Sequence, residues 1–272
     1  MYNLKKSNIL VCDLEGTFAH FRKYYTNSSS LSYSFPTPTS IAGLMAGILG
    51  LERDSYYQQF SSKNFYSAVE ICTPVRKIIQ TVNYVFVTSS SDVNKVKGST
   101  QVPFELVVSK CTNEARYSKL KYRLYFRHRD NIQLKEKKDR LVNQAFVYPP
   151  YLGVAECTGR LTFVDEIKPE DVKVILSGEK IKVNTTCSVD SIEKGSLDIR
   201  LDSGIGYIKE IMPVEFDANR YLVSSKSYIY EQNNKGVCAT FKTPVLSFML
   251  KEETKNITWL QEVEADEYLF SY

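Results

Sequence analysis

The stretch Arg22-Lys23-Tyr24-Tyr25-Thr26-Asn27-Ser28-Ser29-Ser30 brings cations, aromatic rings and small hydroxyl and amide groups together in nine residues. Cations hold phosphates, rings stack on bases, and small polar groups hydrogen-bond. Together they are the ingredients of single-strand nucleic-acid binding. A surface loop is also rich in Ser and Asn, so the interleaving of basic and aromatic residues is what points to a polyanion. Thr39 and Ser40 follow at a helix start, where free N–H groups can receive a phosphate. A second basic patch holds Lys95 and Lys97, with Thr100 and Gln101 just beyond. Their two-residue spacing predicts that both lysines project from one face of a strand. Arg76 and Lys77 complete the candidate RNA-binding set. A third patch, Lys110–Arg140, has 11 basic against four acidic residues. Its last part, Lys135–Arg140, reads equally well as a solvated helix face.

Catalytic signals are sparse. His20 sits beside this loop, and a metal-free ribonuclease can use His as general acid or base on a ribose 2′-hydroxyl while Lys stabilises charge. His20, Lys23 and Tyr24 are the residues such an enzyme would use; the competing reading makes His20 a local packing or RNA-contact residue. His128, between Arg127 and Arg129, reads as part of a solvated basic cluster. The sequence contains no GxxxxGK[ST], HExxH or GxSxG motif. Two histidines and six scattered cysteines offer no clustered metal ligands, so neither metal nor cofactor is expected.

Charge is unevenly divided. Residues 1–141 carry 21 Lys/Arg against 11 Asp/Glu, and residues 142–272 carry 14 against 20. The first half is the one suited to a polyanion. With 272 residues, 43% hydrophobic and 24% charged, the chain is globular in composition, not disordered. A polar start, unpaired cysteines and no apolar run of about 18 residues lead to the expectation of a cytoplasmic protein without a membrane span.

These residues need elements to position them. Ile9–Leu14 reads as a strand and 16–36 as a long loop. Thr37-Pro38 opens a helix whose buried stripe is Ile41, Leu44, Met45, Ile48 and Leu49. Gly43 and Gly47 lie on another line of that helix and suit close packing against a sheet or an RNA backbone. A short second helix is expected over Tyr56–Phe60. Strands follow at 65–73 and 78–88, a polar hairpin tip at 89–99, and strands at 104–108 and 120–129. A helix at 132–146 and a strand at 154–164 close the first unit. Setting the hairpin aside, this is the βαββαβ order of an α+β, ferredoxin-like (RRM-like) domain, whose relatives present a sheet face to RNA. From 165 to 272, short apolar runs (172–176, 180–184, 197–201, 205–211, 221–230, 237–249) alternate with turn residues, predicting a β-rich second region packed on the first, at 1–164.

The segment R-K-Y-Y-T-N-S-S-S-L-S-Y-S-F-P-T-P-T-S-I-A-G-L-M-A-G-I-L-G-L (22–51) resembles the Cas-five subunit of CRISPR Cascade complexes, in its type I-B form. G-S-T-Q-V-P-F-E-L (98–106), Y-R-L-Y-F (122–126) and Y-P-P-Y-L-G-V-A-E (148–156) agree with it. The resemblance implies a repeat-associated (RAMP) protein with a ferredoxin-like palm and a β-hairpin thumb at about 89–108. It also implies a noncatalytic role in antiviral defence, capping the 5′ handle of the CRISPR RNA (crRNA) beside a Cas-seven backbone subunit and a Cas-eight large subunit, with target DNA reached through the complex. Arg22–Ser30, Thr39 and Ser40 would then line the handle site, and Lys95 and Lys97 would lie near RNA. Type I-C relatives cleave the repeat RNA themselves, which keeps a metal-independent endoribonuclease as the alternative. Gly204-Ile205-Gly206 is a faint echo of the Gly-rich loop that many RAMP proteins carry near the C-terminus.

Overall fold

The computed structural model describes every residue except 1, 5, 6, 96, 97, 111–118, 177, 200–203, 264–267, 271 and 272. The elements are β1 (Tyr2–Leu4), β2 (Ile9–Gly16), β3 (Phe21–Arg22), β4 (Ser32–Tyr33), α1 (Pro38–Leu49), β5 (Phe65–Ile71), β6 (Val75–Val85), β7 (Ser99–Ser109), β8 (Leu120–His128), α2 (Asn131–Val142) and β9 (Gly159–Ile167). Then come β10 (Lys173–Ile175), β11 (Ile181–Val183), β12 (Cys187–Ser188), β13 (Tyr207–Phe216), β14 (Leu222–Glu231), β15 (Val237–Ala239), β16 (Val245–Leu250), β17 (Glu253–Ile257) and β18 (Tyr268–Phe270). The protein is β-rich with two α-helices among the described residues.

A four-stranded antiparallel sheet in the order β5-β8-β2-β9 forms the centre. Strand β2 lies between β8 and β9, with Leu14 opposite Tyr122 on one side and Leu161 on the other. One sheet face carries Leu10, Cys12, Leu14, Val69, Leu124 and Phe126 into a core shared with α1, α2 and strands β13 and β14. The cause is the two-residue period of a strand meeting the 3.6-residue period of a helix. Helix α1 begins as the sequence requires. Thr37 accepts a hydrogen bond from the Ser40 N–H at 3.1 Å, and Pro38 takes the first helical position. It ends at Gly50, whose φ of 72° is left-handed. All five stripe residues are buried. Gly43 packs near the Tyr56 hydroxyl and Gly47 near Tyr148, not against the sheet.

The opposite face corrects the expectation drawn from RNA recognition modules. Ile9, Val11, Tyr66, Ala68 and Tyr125 are buried against Leu246, Phe248, Leu250, Ile257 and Trp259. Beside this apolar half lies an ionic one. Arg123 makes a two-pronged contact with Asp13 (2.8 and 3.1 Å), and Lys255 pairs with Glu70 at 3.0 Å. Both sheet faces are therefore internal, and neither presents side chains to RNA.

Other expectations shift. Tyr56–Phe60 is a turn with one helix-like hydrogen bond, Phe60 N–H to Tyr56 O at 3.0 Å. Strands β6 and β7 pair over their whole length, from Val75↔Ser109 to Val85↔Ser99. Pro103 sits within β7 opposite Thr81, in a ribbon that among the described residues has no third strand, only isolated bridges from Ala19 to Val107 and from Ser30 to Phe104. Helix α2 stops at Val142, before Gln144 with its positive φ of 50°. The run at 237–249 is two strands, β15 and β16, and the described part of 197–201 is not a strand. Strand β9 continues to Ile167, so the change of texture at 165 falls inside a strand.

Candidate nucleic-acid interface

The loop after β2 is held by backbone bonds before any side chain matters. Ala19 and Val107 exchange two hydrogen bonds (3.0 and 2.8 Å), Ser30 N–H donates to Pro103 O, and Glu105 N–H donates to Ser30 O. His20 lies between these anchors and is fully buried. Its Nδ1 is 2.7 Å from Glu105 O, which only accepts, so Nδ1 carries the proton. The neutral ring then accepts from Ser30 Oγ through Nε2 at 2.9 Å. The ring stacks on Phe104 with centroids 3.9 Å apart. Burial holds the His20 pKa below the ordinary histidine value. His128 is likewise buried, with Nε2 2.9 Å from Gln59 O, and is not part of a solvated cluster.

Two lysines of the candidate set, Lys23 and Lys77, are engaged by carboxylates. Lys23 Nζ is 3.0 Å from Glu210 Oε1, and its charge lies over the Tyr33 ring. Burial opposes that charge, but Glu210 outweighs it and holds the Lys23 pKa above the ordinary lysine value. Lys77 Nζ donates to Ser32 O (2.7 Å) and Glu210 Oε1 (2.9 Å) and lies 3.5 Å from Glu105 Oε2. The same Glu105 oxygen accepts the Ser32 N–H at 2.8 Å. Two lysines and two carboxylates thus tie the loop to the β6–β7 hairpin and to β13.

Above this base the loop tip is open. Arg22, Tyr24, Tyr25, Asn27 and Ser28 are exposed, Ser29 is partly covered, and Thr26 and Ser30 are buried. Thr26 Oγ1 donates to Lys23 O, and Arg22 reaches Thr26 O at 3.4 Å. Tyr24 and Tyr25 meet edge to face at 5.2 Å. Phosphate-, base- and hydroxyl-type contacts are therefore presented from a fixed base.

Beside the tip, Thr39 and Ser40 line a cavity of about 190 Å³ at the start of α1. Its other walls include Phe21, Gly43, Tyr56, Tyr151 and Gly153. Sequence reasoning missed Tyr56, Tyr151 and Gly153 as site residues, although 148–156 had drawn notice as a segment. Gly153 has φ of 94°, and a Cβ there would lie 2.1 Å from His20 O, so only glycine permits this approach.

The remaining candidates lie elsewhere. Arg76 is exposed near the foot of the hairpin. Thr100 and Gln101 are exposed on its distal half, roughly 14–17 Å along β7 from Glu105 at about 3.4 Å per residue. Lys95 closes a short 3₁₀ turn, Ser90–Asn94, and does not lie on a strand. Lys97 lies outside the described residues. The described candidates thus fall into one group at the loop and α1 and one toward the hairpin tip, with Arg76 apart at the hairpin foot. Among the described residues no group of three or more His, Cys, Asp or Glu is placed to hold a metal, and no helix is long and apolar enough to cross a membrane.

The family described as CRISPR-associated protein (Cas_Cas5) matches residues 9–221. The chain belongs to the Cas-five family. No curated protein sequence matches it. A CRISPR protein from Archaeoglobus fulgidus has a similar structure, with a TM-score of 0.52 at 13% identity over 93% of this chain and 99% of that one. A chain of a CRISPR RNA-guided surveillance complex aligns with a TM-score of 0.49 at 12% identity, over 85% of this Cas-five chain and 91% of its own. At 13% identity the likeness to the Archaeoglobus fulgidus protein is one of fold.

Proposed function

We propose that this Cas-five chain is a noncatalytic RNA-binding subunit of a type I-B CRISPR surveillance complex that caps the 5′ handle of the crRNA. The observation that carries the reading is the exposed tip Arg22, Tyr24, Tyr25, Asn27 and Ser28, anchored beside the cavity at the start of α1. Phosphate, ring and hydroxyl contacts lie next to a recess suited to a splayed base, the arrangement by which single strands are held. The unit β2-α1-β5-β8-α2-β9, with spatial order β9-β2-β8-β5, is read as the ferredoxin-like palm and the β6–β7 hairpin as the thumb. Toward its tip the hairpin exposes Tyr84, Val85, Phe86 and Val87. An apolar group of this kind on a projecting ribbon suits a protein partner. The backbone (Cas-seven) and large (Cas-eight) subunits are the partners proposed for it, with target DNA engaged through the complex in the cytoplasm.

The burial of His20, with both ring nitrogens occupied, supports capping over cleavage, because a general base must reach the proton it removes. The test is one pair of gels with end-labelled repeat RNA in EDTA. Intact RNA retained on the native gel, and competed by a 5′-handle oligonucleotide but not a scrambled one, is the expected result. A discrete product on the denaturing gel, lost in His20→Ala, overturns it.

A further inference from the structure

A second, smaller recess lies on the other side of the first turn of α1. It has a volume of about 100 Å³ and is walled by Thr39, Tyr56, Tyr57, Phe60, Glu215 and Phe216. It shares Thr39 and Tyr56 with the cavity described above, so the two recesses are neighbours divided by those side chains. A line of aromatic contacts leads to it from the loop tip. Tyr25 meets Tyr24 edge to face at 5.2 Å, and Tyr24 meets Phe216 edge to face at 6.5 Å.

The walls are tied across the gap. Arg220 makes a two-pronged contact with Asp54 (2.9 and 2.9 Å), and the Tyr57 hydroxyl donates to the same carboxylate at 2.7 Å. Ser62 Oγ donates to Glu215 Oε2 at 2.6 Å. The segment 54–62 is thereby held to β13 and the turn after it without any ligand. Glu215 spends only Oε2 on this tie and leaves Oε1 without a partner among the described residues.

We infer that this cleft is a second base subsite that takes one nucleobase of the bound strand and selects an exocyclic amine through Glu215, with cytosine the base that fits. The inference rests on the RNA-binding reading above. Two neighbouring recesses sharing a wall suit successive bases of a splayed strand, and aromatic walls supply stacking of any base. Selectivity needs a hydrogen bond, and a free carboxylate oxygen is an acceptor matched to the cytosine 4-amino group. Uracil presents a carbonyl at that position and is disfavoured. The small volume favours a single ring over a purine.

The test compares fluorescently labelled octanucleotides of cytidine and uridine, with mixed-sequence repeat RNA, on the full chain and on Glu215→Gln, Ser62→Ala and Phe216→Ala. The wild-type chain is expected to prefer oligocytidine over oligouridine by about tenfold, within the range of one well-formed base contact. Glu215→Gln brings that ratio to about one, because a rotated amide serves either base. Ser62→Ala keeps the ratio, since it removes the tie and not the acceptor. Phe216→Ala weakens both oligomers alike. If repeat RNA binds and the ratio is the same in wild type and Glu215→Gln, the subsite falls while the RNA-binding reading stands. If Ser62→Ala abolishes the ratio as Glu215→Gln does, Glu215 is a structural tie and the subsite also falls. If none of the three RNAs binds, both readings fall together.

Discussion

Lys23 Nζ lies 3.0 Å from Glu210 Oε1 across 187 residues of sequence, and this contact divides the loop into an anchored floor and an exposed tip. Lys77 joins the same carboxylate oxygen at 2.9 Å, so one acidic residue of β13 holds cations from two earlier elements. A lysine neutralised in this way releases no counterion on meeting a phosphate, whereas Arg22 on the exposed tip would. Arg22→Ala is therefore expected to reduce the slope of log affinity against log salt by about 0.7, the share of one phosphate contact on a single strand. Lys23→Ala is expected to leave the slope unchanged and to lower the unfolding midpoint instead, because Glu210 loses a buried partner. Binding titrations at several salt concentrations decide between them. A slope change in Lys23→Ala equal to that in Arg22→Ala shows that Lys23 leaves Glu210 for the RNA.

His20 makes a separate prediction about acid. Burial holds its folded pKa below the unfolded value of 6.5. As pH falls below about 6.5 the unfolded chain takes up a proton at this ring before the folded chain does, so stability drops through that window. His20→Gln removes the titration and flattens that part of the profile relative to wild type. It also leaves Ser30 or Glu105 short of a hydrogen bond, at a cost of about 1–3 kcal/mol. Urea unfolding from pH 7.5 to pH 5 reads both effects. An identical pH slope in the two proteins would show that His20 titrates alike in the folded and unfolded chains.

Some of this was legible in the residues and some was not. The α1 stripe and its Thr37 cap were local signals, and the structure follows them. The exposed Tyr24 and Tyr25 followed from composition alone. The partner of Lys23 did not, because a lysine in a polar loop reads the same whether it meets phosphate or a carboxylate from a distant strand. Alternation in β8 placed Arg123 and Tyr125 together on one face, but it could not tell a wet face from an ionic buried one. The expected strand at 104–108 begins five residues after the observed start of β7 at Ser99, so the full length of the hairpin was hidden. Its pairing depends on register across residues far apart in the chain, and no local pattern carries that.

The hairpin tip predicts a loss of assembly without a loss of fold. Phe86 and Val87 are about half exposed and lie beyond the last β6–β7 pair. Replacing both with Ser leaves the core around the four-stranded sheet untouched, so the unfolding midpoint is expected to shift by no more than about 0.5 kcal/mol equivalent. If the tip seats against a neighbouring subunit, co-purification of the complex from cells expressing all its subunits falls while the yield of the free chain does not. Wild-type recovery of the complex with Phe86→Ser/Val87→Ser would remove the tip from the interface.

The covered sheet face can be tested through Glu70 and Lys255. Their charges are 3.0 Å apart, with side chains 6% and 9% exposed, and Tyr125 donates a further hydrogen bond to Glu70 at 2.6 Å. Lys255→Met strands a carboxylate that water reaches poorly, and the expected cost is about 3–5 kcal/mol. Glu70→Gln in the same chain removes that stranded charge while keeping an acceptor for Tyr125, so the double variant is expected to recover most of the loss. If the sheet face were open to solvent, as in an RNA recognition module, Lys255→Met would cost less than about 1 kcal/mol, the range of exposed ion pairs. Urea unfolding of the two single variants and the double variant gives the coupling energy directly. A coupling near zero would mean that the C-terminal strands do not seal the sheet, and RNA contact through that face would again be available.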